Sequence, residues 1–420
     1  SFIKLPTLEK CEHKNSFIHI LLNKFRFAGL LYSMLAQSGI ECKSSHSSSR
    51  LWLLTVLRPP ACFSGGGFAR KGGLTGGARL CYNGGDEKSA KERIVMKLNL
   101  RPVSRHGAVS VPGYITWCGS MTRTPDGKCH LYLSIWEEKW GFEGWVTHSK
   151  AGYATADDPD GPYTFHGATL DGTHRDGDWD RDVIHNPWIL QHSGRFYLYY
   201  VGNWGNGEYW DHQKRQRVGV AVSDKPNGPW TRLDTPILPS RPGLFDAGIT
   251  SNPTVCALPD GRFMMIYKGS APHPAYKNGV VSHGAAFADN PVGPWTRRDK
   301  PIFAVEGARF SAEDPCLFYW NGALHCVMKD MGRYYCADEE RALVHFTSRD
   351  LGESWQQAEP FVFSTRRVPF EAGGEREIAR LERPFVYQEN GAPAMLFAAA
   401  KPDAGSDAAY NVHRRIVVSK

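Results

Sequence analysis

No run of eighteen apolar residues occurs anywhere in the 420, so nothing here reads as a membrane-spanning helix. None of the ten cysteines forms a CxxC pair, and no calcium-loop pattern is present; neither a metal nor a cofactor is expected. Cys118, Cys129, Cys256, Cys316, Cys326 and Cys336 fall mostly inside apolar strand patterns and read as buried free thiols. Phe27–Leu35 is apolar, but no small-residue cleavage site follows it, so no convincing signal peptide is present and the expected compartment is cytoplasmic or periplasmic. A basic surface is also missing where it would matter. The formal charge is +7, yet residues 1–95 hold 14 Lys and Arg against 6 Asp and Glu. The remainder holds 36 against 37, which argues against a nucleic-acid partner. Those first 95 residues contain one of the 13 tryptophans, a serine cluster at 44–49 and a glycine-rich stretch at 65–77. Met96 then opens MKLNLRPV. Residues 1–95 are read as a leader, either non-native upstream sequence before a start at Met96 or disordered, and 96–420 as the folded domain.

What the chain has is repetition. His185-Asn186-Pro187, Ser251-Asn252-Pro253, Glu313-Asp314-Pro315 and Glu382-Arg383-Pro384 each open an apolar run, a tight turn and a second apolar run. The prolines are 66, 62 and 69 residues apart. An earlier copy, Trp117 to Trp136, lacks the proline but aligns through Pro125-Asp126-Gly127 with Pro259-Asp260-Gly261. A second motif keeps the same register: Ala154 to Tyr163, Ala221 to Trp230 and Ala286 to Trp295 all end in Gly-Pro-aromatic, with a looser copy at Phe346 to Trp355. Thr235-Pro-Ile-Leu238 and Lys300-Pro-Ile-Phe303 continue two of them and read as a fourth strand. Five units of four short strands predict an all-β fold, a five-bladed β-propeller of four-stranded blades.

The innermost strand of each blade lines a propeller's axis, so the strand starts converge on one mouth. They are Trp117/Cys118, His185/Asn186, Ser251/Asn252, Glu313/Asp314 and Glu382/Arg383. Asn-Pro and Asp-Pro also cap turns, which explains each position singly. It explains less well why His, Asn, Glu, Asp and Arg gather at equivalent places, and a ligand site does so better. At these residues the chain resembles the five-bladed glycoside hydrolase propellers, the group that includes families 43, 32 and 117, over roughly 98–420. The resemblance implies a glycosidase acting on an oligosaccharide. Family 43 enzymes carry Asp before proline in the first two blades and Glu two residues before proline in a later one. Glu313 fits the Glu pattern and Glu382 repeats it, whereas Cys118-Gly119, Asn186 and Asn252 stand where Asp is expected. The family 43 general base therefore has no counterpart here.

Glycosidic cleavage needs one carboxyl as acid and one carboxylate as base or nucleophile. Glu313 is the expected acid, raised by Asp314 and an apolar surround. The expected base is Asp246 or Asp180, each six residues before its Asn, with Glu382 after them; turn capping is the plainer account of both aspartates. Family 117 uses a histidine acid, which brings in His185 first, then His148 and His273. Lys268 and Lys329 end the second strands of their hairpins and, with Arg383, suit an anionic sugar or phosphate. Loop tryptophans Trp145 and Trp204 suit stacking on sugar C–H faces. The expected function is exo-acting hydrolysis of a short oligosaccharide with an anionic or unusual sugar. A polysaccharide lyase or phosphorylase using the same cations, and a non-catalytic sugar-binding propeller, stand as alternatives.

Overall fold

A computed structural model describes residues 96–272 and 279–420, together with the backbone of three upstream strands, His19–Leu22, Cys42–His46 and Trp52–Val56. Most of the 1–95 leader, and His273, therefore lie outside the described residues. The chain divides into two compact units, Ser1–Lys88 and Ser89–Lys420. The three upstream strands form one antiparallel sheet.

The second unit is a five-bladed β-propeller. Its inner strands are Tyr114–Arg123, Val183–His192, Ile249–Ala257, Ala312–Trp320 and Arg380–Glu389. Each pairs antiparallel with the strand that follows it, and blades one to four run outward in chain order. The fifth blade does not. Its outermost strand is Lys97–Leu100, which pairs with Tyr410–Ser419 and so joins the start of the domain to its end. That strand lies some 300 residues from its partner in sequence, so no local pattern announces it.

The fourth strands of blades two and three are Thr231–Arg232 and Thr296–Arg297, not the Pro-Ile segments expected from sequence. Proline has no N–H to give a ladder, and each Pro-Ile segment is tied to the third strand through its isoleucine N–H: Ile237 to Val218 O at 2.9 Å and Ile302 to His283 O at 2.7 Å. The repeated turns need their glycine: Gly161, Gly228 and Gly293 sit at φ 81°, 86° and 99°, a region costly for other residues. The core is the shared packing of the blade faces, with Tyr132, Tyr199, Tyr200, Tyr267 and Phe397 fully buried. Among the described residues no helix is long and apolar enough to cross a membrane.

Candidate active site

Every inner strand carries a bulge at the same place, just after its start. The register slips between Trp117 and Ser120, His185 and Trp188, Ser251 and Thr254, Glu313 and Cys316, and Glu382 and Phe385. In each bulge one residue is left-handed: Cys118 (φ 61°), Asn186 (53°), Asn252 (50°), Asp314 (59°) and Arg383 (54°). None is glycine, so each stores strain of roughly 1–3 kcal/mol that its surroundings must offset. Proline after four of them loses nothing, because the bulge interrupts the ladder there. In blade one Gly119 replaces it, since a Cβ would lie 2.2 Å from Asn411 Nδ2, which donates to Cys118 O.

The offset comes from a closed ring around the axis. Cys118 Sγ donates to Asn186 Oδ1 (2.8 Å), Asn186 Nδ2 to Asn252 Oδ1 (2.9 Å), and Asn252 Nδ2 to Asp314 Oδ1 (2.7 Å). Arg383 donates to Asp314 through Nη1 (3.2 Å) and through its backbone N–H (3.2 Å), and its side chain also bonds Cys118. Arg383 is thus the ring's source of donors and Asp314 its terminal acceptor. Amide side chains at 186 and 252 both accept and donate, which a carboxylate cannot do. That is a physical reason for Asn where the resemblance expects Asp.

One residue earlier on each strand lies the layer facing the mouth: Trp117, His185, Ser251, Glu313 and Glu382. Lys268 and Lys329, near the ends of the second strands of blades three and four, each pair with the glutamate of the next blade. Lys268, opposite Ser251, donates to Glu313 Oε1 at 2.8 Å; Lys329, opposite Glu313, donates to Glu382 Oε1. Oxygens of Glu313, Asp314 and Glu382 lie within 4.8 Å of one another, a set able to ligate a metal ion. The two lysines and Arg383 already balance those three charges, so an added divalent ion would have to compete with an ammonium or guanidinium.

This corrects the expected role of Glu313. Burial raises its carboxyl, but Lys268 and Lys329 outweigh burial and hold it down at about 2, so it stays ionised. Asp314 goes the other way: burial first, then the charge of Glu313, push it up to about 6 against Arg383. His185 is kept neutral by burial, with Arg383 and Lys268 adding to the effect. Its Nδ1 shares a hydrogen bond with Ser149 Oγ (2.8 Å), and its ring stacks on Trp145 (4.8 Å between centroids).

The cavity above measures about 570 Å³. Its aromatic lining is Trp117, Trp136, Phe142, Trp145, Tyr209, Phe310 and Tyr334. Three of these, Trp145, Tyr209 and Tyr334, sit in segments held by residues the sequence reading missed. Asn203 donates to Val146 O (2.9 Å) and accepts from His212 (3.0 Å), tying together the short helices Trp145–His148 and Tyr209–Lys214. Asp330 accepts four backbone N–H groups, from Gly332, Tyr334, Tyr335 and Cys336, and so shapes the loop that presents Tyr334. Each is the last residue of its second strand, one register position apart, so the repeat did not single them out. The opposite mouth of the axis opens on a larger cavity of about 880 Å³, but its one carboxylate, Glu389, is paired with Arg123.

Two expected site residues, His148 and Trp204, are elsewhere, and two more, Asp180 and Asp246, are struts. Asp180 and Asp246 are buried beneath the blades and do not line the cavity. Trp179 and Phe245, just before them, stack on Tyr200 and Tyr267 in slots where Gly202, Gly219, Gly269 and Gly284 leave no room for a Cβ. Each aspartate accepts the tyrosine hydroxyl at 2.8 Å and an arginine of the fourth strand, Arg232 at 3.1 Å or Arg297 at 2.8 Å. Their common offset reflects a repeated blade strut. His148 stacks on Trp140 and lines a separate cavity behind the wall formed by Trp136. Trp204 packs under Arg215, away from both. His273 lies outside the described residues.

No known family profile matches the chain, and no curated protein matches it in sequence. Solved structures do. A family 117 glycoside hydrolase of the marine bacterium Zobellia galactanivorans is 17% identical over 77% of this chain and 90% of its own, with a TM-score of 0.54. A thermostable family 43 glycoside hydrolase gives 11%, 73%, 93% and 0.53. A family 43 β-xylosidase/α-arabinofuranosidase from a compost metagenome gives 18%, 76%, 94% and 0.51. At such identities the likeness establishes the fold, a five-bladed propeller shared with these enzymes.

Proposed function

We propose that the protein is a glycosidase, exo-acting on a short oligosaccharide that carries an anionic sugar. One arrangement carries this reading: Glu313, Asp314 and Glu382, their oxygens within 4.8 Å of one another, gather at the floor of an aromatic-lined pocket, with Glu313 held down by Lys268 and Lys329 against burial and Asp314 raised by burial. Two carboxyls with separated pKa values are what acid–base cleavage of a glycoside requires. Glu313, ionised, serves as base or nucleophile, and Asp314, raised by burial and by the charge of Glu313, supplies the proton as pH falls towards about 6. The structural likeness to glycoside hydrolases supports the reading without deciding it. Exo action is supported by the shape of the mouth, where Trp145 meets Tyr209 edge-on (6.0 Å) and bounds the pocket on one side. A lyase would want a tyrosine or histidine base; burial, followed by the charge of Glu143, raises the Tyr209 hydroxyl and disfavours that role.

The test is incubation with a panel of neutral and uronate-containing oligosaccharides, read by mass spectrometry and reducing-sugar release. Glu313→Gln should lower kcat by about 10²–10⁴-fold with little change in melting temperature. Full activity in Glu313→Gln, or binding of the panel with no bond cleaved, refutes the assignment. Phosphate-dependent cleavage would mark a phosphorylase, and an unsaturated product a lyase.

A further inference from the structure

Three cations of the axial site, Lys268 half-buried and the others buried, each have a carboxylate: Lys268 has Glu313, Lys329 has Glu382 and Arg383 has Asp314. Two more cations beside the same pocket do not. Arg380 and Lys401 face each other across the first two strands of blade five. Both lie over the ring of Phe142, Arg380 Cζ at 5.0 Å and Lys401 Nζ at 4.4 Å from its centroid. Lys401 is 5% exposed, and its ammonium reaches a backbone oxygen, Ala404 O, at 3.4 Å. Among the described residues neither cation forms an ion pair. Phe142 is held from behind by Trp117 and Trp136, edge-on at 5.2 and 6.0 Å, so the platform under the two charges is rigid.

Such an arrangement is costly in the empty protein. Like charges directly across a strand pair repel, and an unpaired buried ammonium has given up water for little. Contact with one aromatic face compensates in part. The rest is recovered when an anion arrives. Arg380 lines the pocket, and its planar fork matches two oxygens of one carboxylate or sulfate; Lys401 adds a point charge behind it.

We infer that Arg380, backed by Lys401 on the Phe142 platform, forms an anion subsite for a carboxylate or sulfate substituent of the bound sugar. The inference rests on the carbohydrate reading above and names where its anionic group is held. It concerns binding, so it is tested without any bond being cleaved.

Calorimetric titration of the full chain would compare glucuronate and galacturonate with glucose and galactose, and inorganic sulfate with chloride. The uronates should bind at least about 10-fold more tightly than the neutral sugars, a difference of 1.4 kcal/mol. Arg380→Gln should collapse that ratio towards one. Arg380→Lys, which keeps the charge and loses the fork, should retain part of it, and Lys401→Met should reduce it. Competition of sulfate with uronate would extend the subsite to sulfate esters; sulfate binding alone would assign it to them. Equal affinity for uronate and neutral sugar with no sulfate binding overturns the subsite, as does an unchanged ratio in a folded Arg380→Gln. Cleavage of neutral oligosaccharides with no anion preference would also sink the subsite while leaving the hydrolase standing. Anion binding without cleavage would do the reverse.

Discussion

Replacing Arg383 by methionine tests whether the axial ring is what holds the five strained bulges. Arg383 is 5% and Asp314 2% exposed, so the substitution leaves a buried carboxylate facing Asn252 Nδ2 and the backbone N–H of residue 383. Breaking one partner of a buried ion pair costs about 3–5 kcal/mol. The lower end applies here, because Arg383 Nε has no hydrogen-bond partner in the native ring and the pair is imperfectly satisfied. The loss should also depend on pH, and its sign follows from Asp314. Its folded pKa, about 6, exceeds the ordinary aspartate value near 3.9, so between these the native state binds more protons than the unfolded one. Stability from this group is fully present below about 3.9 and is lost as pH rises through the folded value. Without Arg383, which lowers that value, the window widens upward. The deficit of Arg383→Met should therefore be largest at neutral pH and shrink in mild acid. Urea denaturation from pH 4.5 to 8 measures it, with Asp314→Asn added in the same background to remove the stranded charge. A deficit independent of pH, or no recovery in the double variant, would show the ring to be passive packing.

Asp246→Asn should lower unfolding free energy by about 3–5 kcal/mol, because Arg241 and Arg297 both depend on that buried carboxylate, while kcat on any cleaved glycoside stays near wild type; a kinetic collapse without thermal loss would return Asp246 to the chemistry. In blade four His325 Nδ1 and His345 Nε2 lie 2.9 Å apart, and burial depresses them to about 4 and about 3. The unfolded chain therefore binds more protons below pH 6.5, and this contribution is lost as pH falls from there through about 4. His345→Leu should gain on wild type steadily over that range in pH-dependent denaturation, and a constant difference would refute the assignment.

The period of the prolines and the Gly-Pro-aromatic turns was enough to specify five blades, because each blade is built from contacts local in sequence. The five strand starts were legible for the same reason, since equivalent places in a repeat converge on the axis. What the repeat could not reveal is anything that depends on which blade sits beside which. Lys268 and Lys329 reach into the next blade, so only the folded ring turns Glu313 from an expected acid into a carboxylate held ionised. Asp180 and Asp246 share an offset that reads equally as site or strut until Trp179 and Phe245 are seen in their glycine slots. Phe142, Arg380 and Lys401 meet from opposite ends of the domain, and Lys97–Leu100 closes the last blade from the other terminus. Period and turn chemistry are properties of neighbouring residues and survive in a string of letters. Charge balance and ring closure are sums over residues hundreds apart, and the tertiary fold alone brings those residues within reach of one another.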